Sequence, residues 1–224
     1  MISEKELPYY KKRAQTVLKK LKKLFPDAHI ALNFSNDWEL LVAVQLSAQC
    51  TDKKVNEVTP ALFKKYPTFA SYLKANPRDF EKAIHQCGFY RAKTKNILAA
   101  AQDIKKRFNG KLPRTMEEMI TIPGVGRKTA NVVLGNAYGI AEGIAVDTHV
   151  MRLSQVFGLT KEKTPEKIEK DLMRIIPKKD WMAATYEIID YGRTYCVARP
   201  HKHELCPLTP VLAKLPPARV PKFA

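Results

Sequence analysis

The chain has 224 residues, with 39 Lys and Arg against 22 Asp and Glu, a net charge of +17 and 45% hydrophobic residues. This balance excludes a disordered or low-complexity chain and fits one compact protein of one or two lobes. The charge makes nucleic acid the default partner, because lysine and arginine in such excess attract phosphate backbones.

No run approaches the ~20 apolar residues of a membrane span, and Met1 to Lys5 lack a signal-peptide pattern. A cytosolic protein is expected. Val17, Leu21, Leu24 and Phe25 recur at helical spacing with Lys19, Lys20, Lys22 and Lys23 mostly opposite, which predicts an amphipathic helix with a basic face. Ala28 to Leu32 is the only strand signal, short and without a hairpin turn. Asn76 before Pro77, Thr115 ahead of Glu118 and Thr164 before Pro165 read as helix starts. Ile97, Ala100, Ala101, Ile104 and Phe108 share a helix face that ends at Asn109-Gly110. Six of the 15 prolines (Pro200, Pro207, Pro210, Pro216, Pro217 and Pro221) fall near the end, so the tail is predicted extended and irregular. The chain reads as all-α.

The most informative stretch is Ile120-Thr-Ile-Pro-Gly-Val-Gly-Arg-Lys-Thr-Ala-Asn-Val-Val-Leu134. Pro123 ends one helix, Gly124 and Gly126 permit a tight turn, and Ala130, Val133 and Leu134 give the next helix an apolar face. Such a hairpin turns backbone amides and the positive end of a helix dipole outward, where phosphate oxygens bind. Lys128 falls in the first turn of the second helix beside Arg127. There a neighbouring cation and the dipole oppose a further positive charge, which suits an amine nucleophile; the place equally suits a phosphate-binding lysine. Further on, Asp147 is placed to cap the helix carrying Val150, Leu153 and Phe157, with Gly158 as its stop. A carboxylate there can also move protons or stabilise a positive transition state.

Through these and further segments the chain resembles the endonuclease III family of DNA glycosylase/lyases, within the helix-hairpin-helix glycosylases. The resemblance runs from about Lys20 to Cys206. It is carried by Leu46-Ser-Ala-Gln-Cys-Thr-Asp52, Gly88-Phe-Tyr-Arg-Ala-Lys93, the hairpin segment, Ile144-Ala-Val-Asp-Thr-His-Val150 and Tyr191-Gly-Arg-Thr-Tyr-Cys196. It implies a base-excision repair enzyme that removes oxidised pyrimidines from damaged double-stranded DNA and cuts the strand by β-elimination, acting as a monomer near the nucleoid. Lys128 would form a Schiff base with the sugar of a flipped nucleotide, and Asp147 would assist base loss. Gln49 would fill the vacated space and Phe89 would act as a wedge. Arg91, Gly124, Val125, Gly126, Arg127, His149, Arg199 and Lys202 would touch DNA, and Ser47 and Asp52 would belong to the substrate pocket. The fold implied has two helical lobes: residues 30–141, a six-helix barrel with the hairpin, and residues 1–29 with 142–224. Lys128 and Asp147 would face the damaged base from opposite walls. A monofunctional adenine-type glycosylase of the superfamily usually lacks the lysine, and a non-catalytic DNA-binding module would lack Lys128 or Asp147.

The chain departs from the family at its end. Most members hold a [4Fe–4S] cluster with Cys-x6-Cys-x2-Cys-x5-Cys, where this sequence reads Cys196, His203, Cys206 and Leu212. No cluster is expected. Cys196, His201, His203 and Cys206 form a set of the type zinc accepts, but their spacing is unusual, so the expectation is a metal-free loop and no cofactor. Cys50 and Cys87 read as free thiols.

Overall fold

The structure, a computed structural model, describes residues 1–216 and divides into two compact units, Met1–Ile30 with Gly143–Ala224, and Ala31–Glu142. Among the described residues there is no strand; Ala28 to Leu32 is irregular backbone, consistent with a short run that had no pairing partner.

The unit within residues 31–142 contains α2 (Asp37–Ser47), α3 (Asp52–Lys65), α4 (Phe69–Leu73), α5 (Pro77–Ile84), α6 (Tyr90–Phe108), α7 (Met116–Met119) and α8 (Arg127–Tyr138). Helix α2 is its axis. Every residue from Leu40 to Leu46 is buried, the pattern of a helix enclosed on all sides, and α8, α3 and α6 pack around it. Tyr138, at the end of α8, donates its hydroxyl to Asp37 Oδ2 at 2.8 Å. Trp38, in the first turn of α2, forms an edge-to-face and tilted aromatic cluster with Phe69, Tyr66, Tyr72 and Phe80.

Local signals account for most helix boundaries here. Asn36, Thr51, Thr68, Asn76 and Thr115 all accept amides of their own first turns, each such cap being worth about 1 kcal/mol. At the end of α6, Asn109 and Gly110 both adopt left-handed backbone, φ 51° and 80°, so the stop takes both residues rather than glycine alone.

The other unit contains α1 (Leu7–Leu24), α9 (Thr148–Val156), α10 (Pro165–Ile175), α11 (Trp181–Thr194) and α12 (Thr209–Ala213). The apolar face of α1, with Ala14, Val17 and Leu21, packs against α11 and α10, while its lysines lie mostly outside. Arg13 is the exception: it is buried, and its Nε donates to the Phe157 carbonyl at 2.6 Å. Asp171 ties down the chain start, accepting from the Ile2 amide at 3.0 Å and from Thr160 Oγ1 at 2.7 Å. Thr164 occupies the N-cap of α10, but its side chain makes no capping bond. The irregular tail expected after Pro200 is interrupted by α12, whose first turn takes Pro210, a position where the missing amide costs nothing. Pro217 and Pro221 lie outside the described residues.

Candidate active site

In the unit that holds the hairpin, Ile120 to Gly126 form a compact turn closed by the Val125 amide donating to the Ile122 carbonyl at 3.0 Å. The Val125 side chain is buried. Its side chain and amide therefore hold the turn together, whereas Gly124, Gly126, Arg127 and Lys128 are exposed. Gly124 has φ +75°, and a Cβ on it would stand 2.8 Å from that of Asn96, so the hairpin reaches α6 only because this residue has no side chain. Gly126 is the N-cap of α8 and has no side chain to satisfy the first-turn amides. Lys128 lies exposed in that first turn, at the positive end of the helix dipole, where a negative charge is favoured.

Beside the hairpin lies a cavity of about 260 Å³ lined by Gln45, Gln49, Phe89, Lys93, Asn96, Gly124 and Thr129, among others. Gln49 and Phe89 stand on its rim in left-handed backbone, φ 53° and 46°, and Phe89 is 65% exposed. Non-glycine residues rarely adopt this conformation, which costs roughly 1–2 kcal/mol each. Lys93 holds the strained segments in place. It is buried, and its Nζ donates to the Leu46 carbonyl at 2.7 Å and to the Cys87 carbonyl at 2.8 Å. Burial pushes its ammonium pKa down, against the pull of the neighbouring Cys50 and Cys87. Gln45 donates from Nε2 to the Pro123 carbonyl at 3.0 Å, joining α2 to the hairpin.

Ser47 and Asp52 are not among the lining residues. Ser47 is half-buried and donates its hydroxyl to the Val44 carbonyl of its own helix at 2.8 Å, and Asp52 opens α3. Arg91 is exposed, with its guanidinium over the Tyr90 ring. Sequence reasoning missed Lys93, Gln45 and Asn96 as parts of the site. Gln45 carried a signal, being a polar residue within the otherwise apolar run from Leu40 to Leu46. Burial pushes the Cys87 thiol up to about 11, which leaves it an inert thiol near neutral pH.

In the other unit Asp147 caps α9, with Oδ1 accepting the Val150 amide at 2.8 Å. The cap occupies one carboxylate oxygen. His149, half-buried in the first turn of α9, lies so close to α11 that a Cβ on Gly192 would stand 2.7 Å from its Nδ1. Arg199 and Lys202 are exposed on the loop after α11.

These features define a class of protein: a scaffold that is helical throughout its described residues, with an exposed lysine in the first turn of the hairpin's second helix. The family model described as HhH-GPD superfamily base excision DNA repair protein matches residues 42–178. Endonuclease III of Synechocystis sp. is 51% identical over 189 residues, covering 84% of this chain and 86% of that protein. A non-covalent endonuclease III–DNA complex superposes with TM-score 0.85 at 40% identity, covering 96% of this chain and 95% of the other. A trapped endonuclease III–DNA covalent intermediate gives TM-score 0.84 at 41% identity, covering 93% and 94%. The chain belongs to the endonuclease III family of base excision DNA repair proteins.

The expectation of a metal-free C-terminal loop is overturned. Cys196, His201, His203 and Cys206 place their donor atoms within 4.8 Å of one another, a group that can hold a metal ion. The spacing that looked unusual along the chain closes in space because residues His203–Leu205 form a 3-10 turn. The set consists of two thiols and two imidazoles; Leu212, at the fourth position of the family's cluster pattern, carries no donor atom.

Proposed function

We propose that the chain excises oxidised pyrimidines from duplex DNA and cuts the strand through an imine on Lys128. The observation that carries this reading is an exposed lysine in the first turn of α8, a helix whose N-cap, Gly126, has no side chain to occupy its amides. Phosphate oxygens flanking the lesion are held by those amides and by Arg127. The flipped nucleotide then presents C1′ to Lys128 Nζ. The amine attacks C1′, the glycosidic bond breaks, and the base leaves with the bonding electron pair and takes up a proton. The sugar ring opens to an imine, a proton is lost from C2′, and the C3′–O bond breaks to release the 3′ phosphate. Asp147 assists as the carboxylate that stabilises positive charge on the sugar and relays protons.

Gln49 and Phe89 support the base-flipping step, since both are exposed on strained backbone at the rim of the hairpin cavity. A trapped covalent intermediate among the similar structures accords with a nucleophile supplied by the protein. Among the described residues no helix is long and apolar enough to cross a membrane, and we place the enzyme in the cytoplasm at the nucleoid, where its substrate lies.

Borohydride trapping on a duplex with one thymine glycol tests the assignment, because reduction fixes only an imine between amine and sugar. Wild type gives a covalent adduct; Lys128→Ala gives none and no strand cleavage, yet retains duplex binding. An adduct at undiminished yield in Lys128→Ala removes the lysine from this role.

A further inference from the structure

We propose that Cys196, His201, His203 and Cys206 hold a single zinc ion that locks the loop between α11 and α12. Cys196 Sγ lies 3.8 Å from His203 Nδ1, and Cys206 Sγ lies 3.4 Å from His201 Nε2. The His201 and His203 rings have centroids 4.1 Å apart. Bonds of ~2.3 Å from zinc to sulfur and ~2.0–2.1 Å to nitrogen place tetrahedral donors roughly 3.3–3.8 Å from each other. The two thiol–imidazole pairs already stand at that separation, and sub-ångström side-chain shifts bring the rest of the set around one ion. A four-iron cluster, with one donor on each corner iron, would spread its protein ligands wider.

The surroundings also orient the ligands. His201 Nδ1 lies 3.0 Å from the Arg199 carbonyl, an atom that only accepts, so Nδ1 carries the proton and the Nε2 lone pair faces Cys206. This is the outer hydrogen bond that metal-binding imidazoles characteristically make. Arg152 donates from one guanidinium nitrogen to the Cys196 carbonyl at 2.5 Å, and another stands 3.6 Å from Cys196 Sγ, so the guanidinium fixes this ligand's backbone and side chain together. Cys196 and Cys206 are buried and His203 is exposed, so the ion would be sealed on its sulfur side and reachable from solvent. Two thiolates and two neutral imidazoles cancel the charge of a divalent ion, and all four positions are filled, which makes the site structural. The exposed Arg199 and Lys202 lie on the segment between the ligands, so the ion would fix the loop that carries them.

Metal analysis of the purified full-length protein is the direct test. About one zinc per chain is expected, falling at least about fivefold in Cys206→Ser and in His203→Ala, and unchanged in Leu212→Ala. Because a ligand variant can fail to fold, wild type stripped with a chelator is also titrated with Co²⁺. A tetrahedral thiolate site then shows intense visible d–d bands and a near-ultraviolet sulfur-to-cobalt charge-transfer band, both abolished by equimolar zinc. Iron with acid-labile sulfide in the purified protein would overturn the proposal. So would a metal-free protein that develops no cobalt spectrum, which would reduce the cluster to thiol–imidazole hydrogen bonds.

Discussion

Gln49 and Phe89 stand on left-handed backbone, φ 53° and 46°, at the rim of one cavity, and Lys93 anchors the chain just before each of them through the Leu46 and Cys87 carbonyls. Local strain and the proposed wedge role then pull in opposite directions at Phe89. Phe89→Gly relieves the positive φ and removes a ring that is 65% exposed, so unfolding free energy should rise by about 1 kcal/mol. Affinity for a lesion-bearing duplex should fall about tenfold, as the proposed wedge role requires. Urea unfolding and a binding titration on the same variant check both signs; a destabilised protein would show that Phe89 is a packing residue.

Gly124 is constrained twice, by φ +75° and by the Asn96 Cβ 2.8 Å from where its own would stand. Gly124→Ala is expected to cost about 2–4 kcal/mol, combining left-handed strain with overpacking, and to weaken duplex binding as the hairpin moves. Asn96→Ala keeps the offending Cβ and should not rescue it, whereas Asn96→Gly should restore part of the loss. Equal rescue by both variants would shift the cause from the Cβ contact to the amide group.

Asp147 combines a structural duty with a proposed chemical one, and substitution separates them. Asparagine caps helices as well as aspartate does, so Asp147→Asn should leave stability within about 0.5 kcal/mol while Asp147→Ala loses about 1 kcal/mol. Base excision should fall at least about a hundredfold in both variants if the charge is what matters. Near-normal turnover by a stable Asp147→Asn protein would confine the residue to its cap on α9.

What the chain revealed about itself depended on how local each signal was. The Asp147 cap, the Asn76 and Thr115 starts and the Asn109-Gly110 stop were legible because their partners lie within one helical turn. Lys93 was not, since the Leu46 carbonyl it holds is 47 residues away. The Val125 amide escaped for a different reason, since its partner Ile122 is only three residues away: a glycine-flanked hairpin reads as a row of free donors, yet one of them closes the turn itself. The metal ligands were visible as residue types and misjudged as a set. Their closure depends on the 3-10 turn at His203 and on the Arg199 carbonyl that turns the His201 ring, and neither has a sequence signature.

Glu187 makes stability depend on pH. It lies on α11, only 5% exposed, and burial pushes its carboxyl up to about 7; Asp180 adds to the rise and Lys22 partly opposes it. An unfolded chain releases this proton near pH 4.5, its ordinary value, whereas the folded one keeps it to about 7. Between those values the native state binds more protons, so rising pH destabilises it across this window, and the loss persists above. After allowance for solvent screening the effect is about 2 kcal/mol. Asp190, also raised by burial, acts in the same direction and keeps part of the slope. Glu187→Gln should therefore gain about 1–2 kcal/mol at pH 8, little at pH 5, and flatten the profile between. Urea midpoints of both proteins across that range decide it: parallel profiles would place the pH dependence on other carboxyl groups.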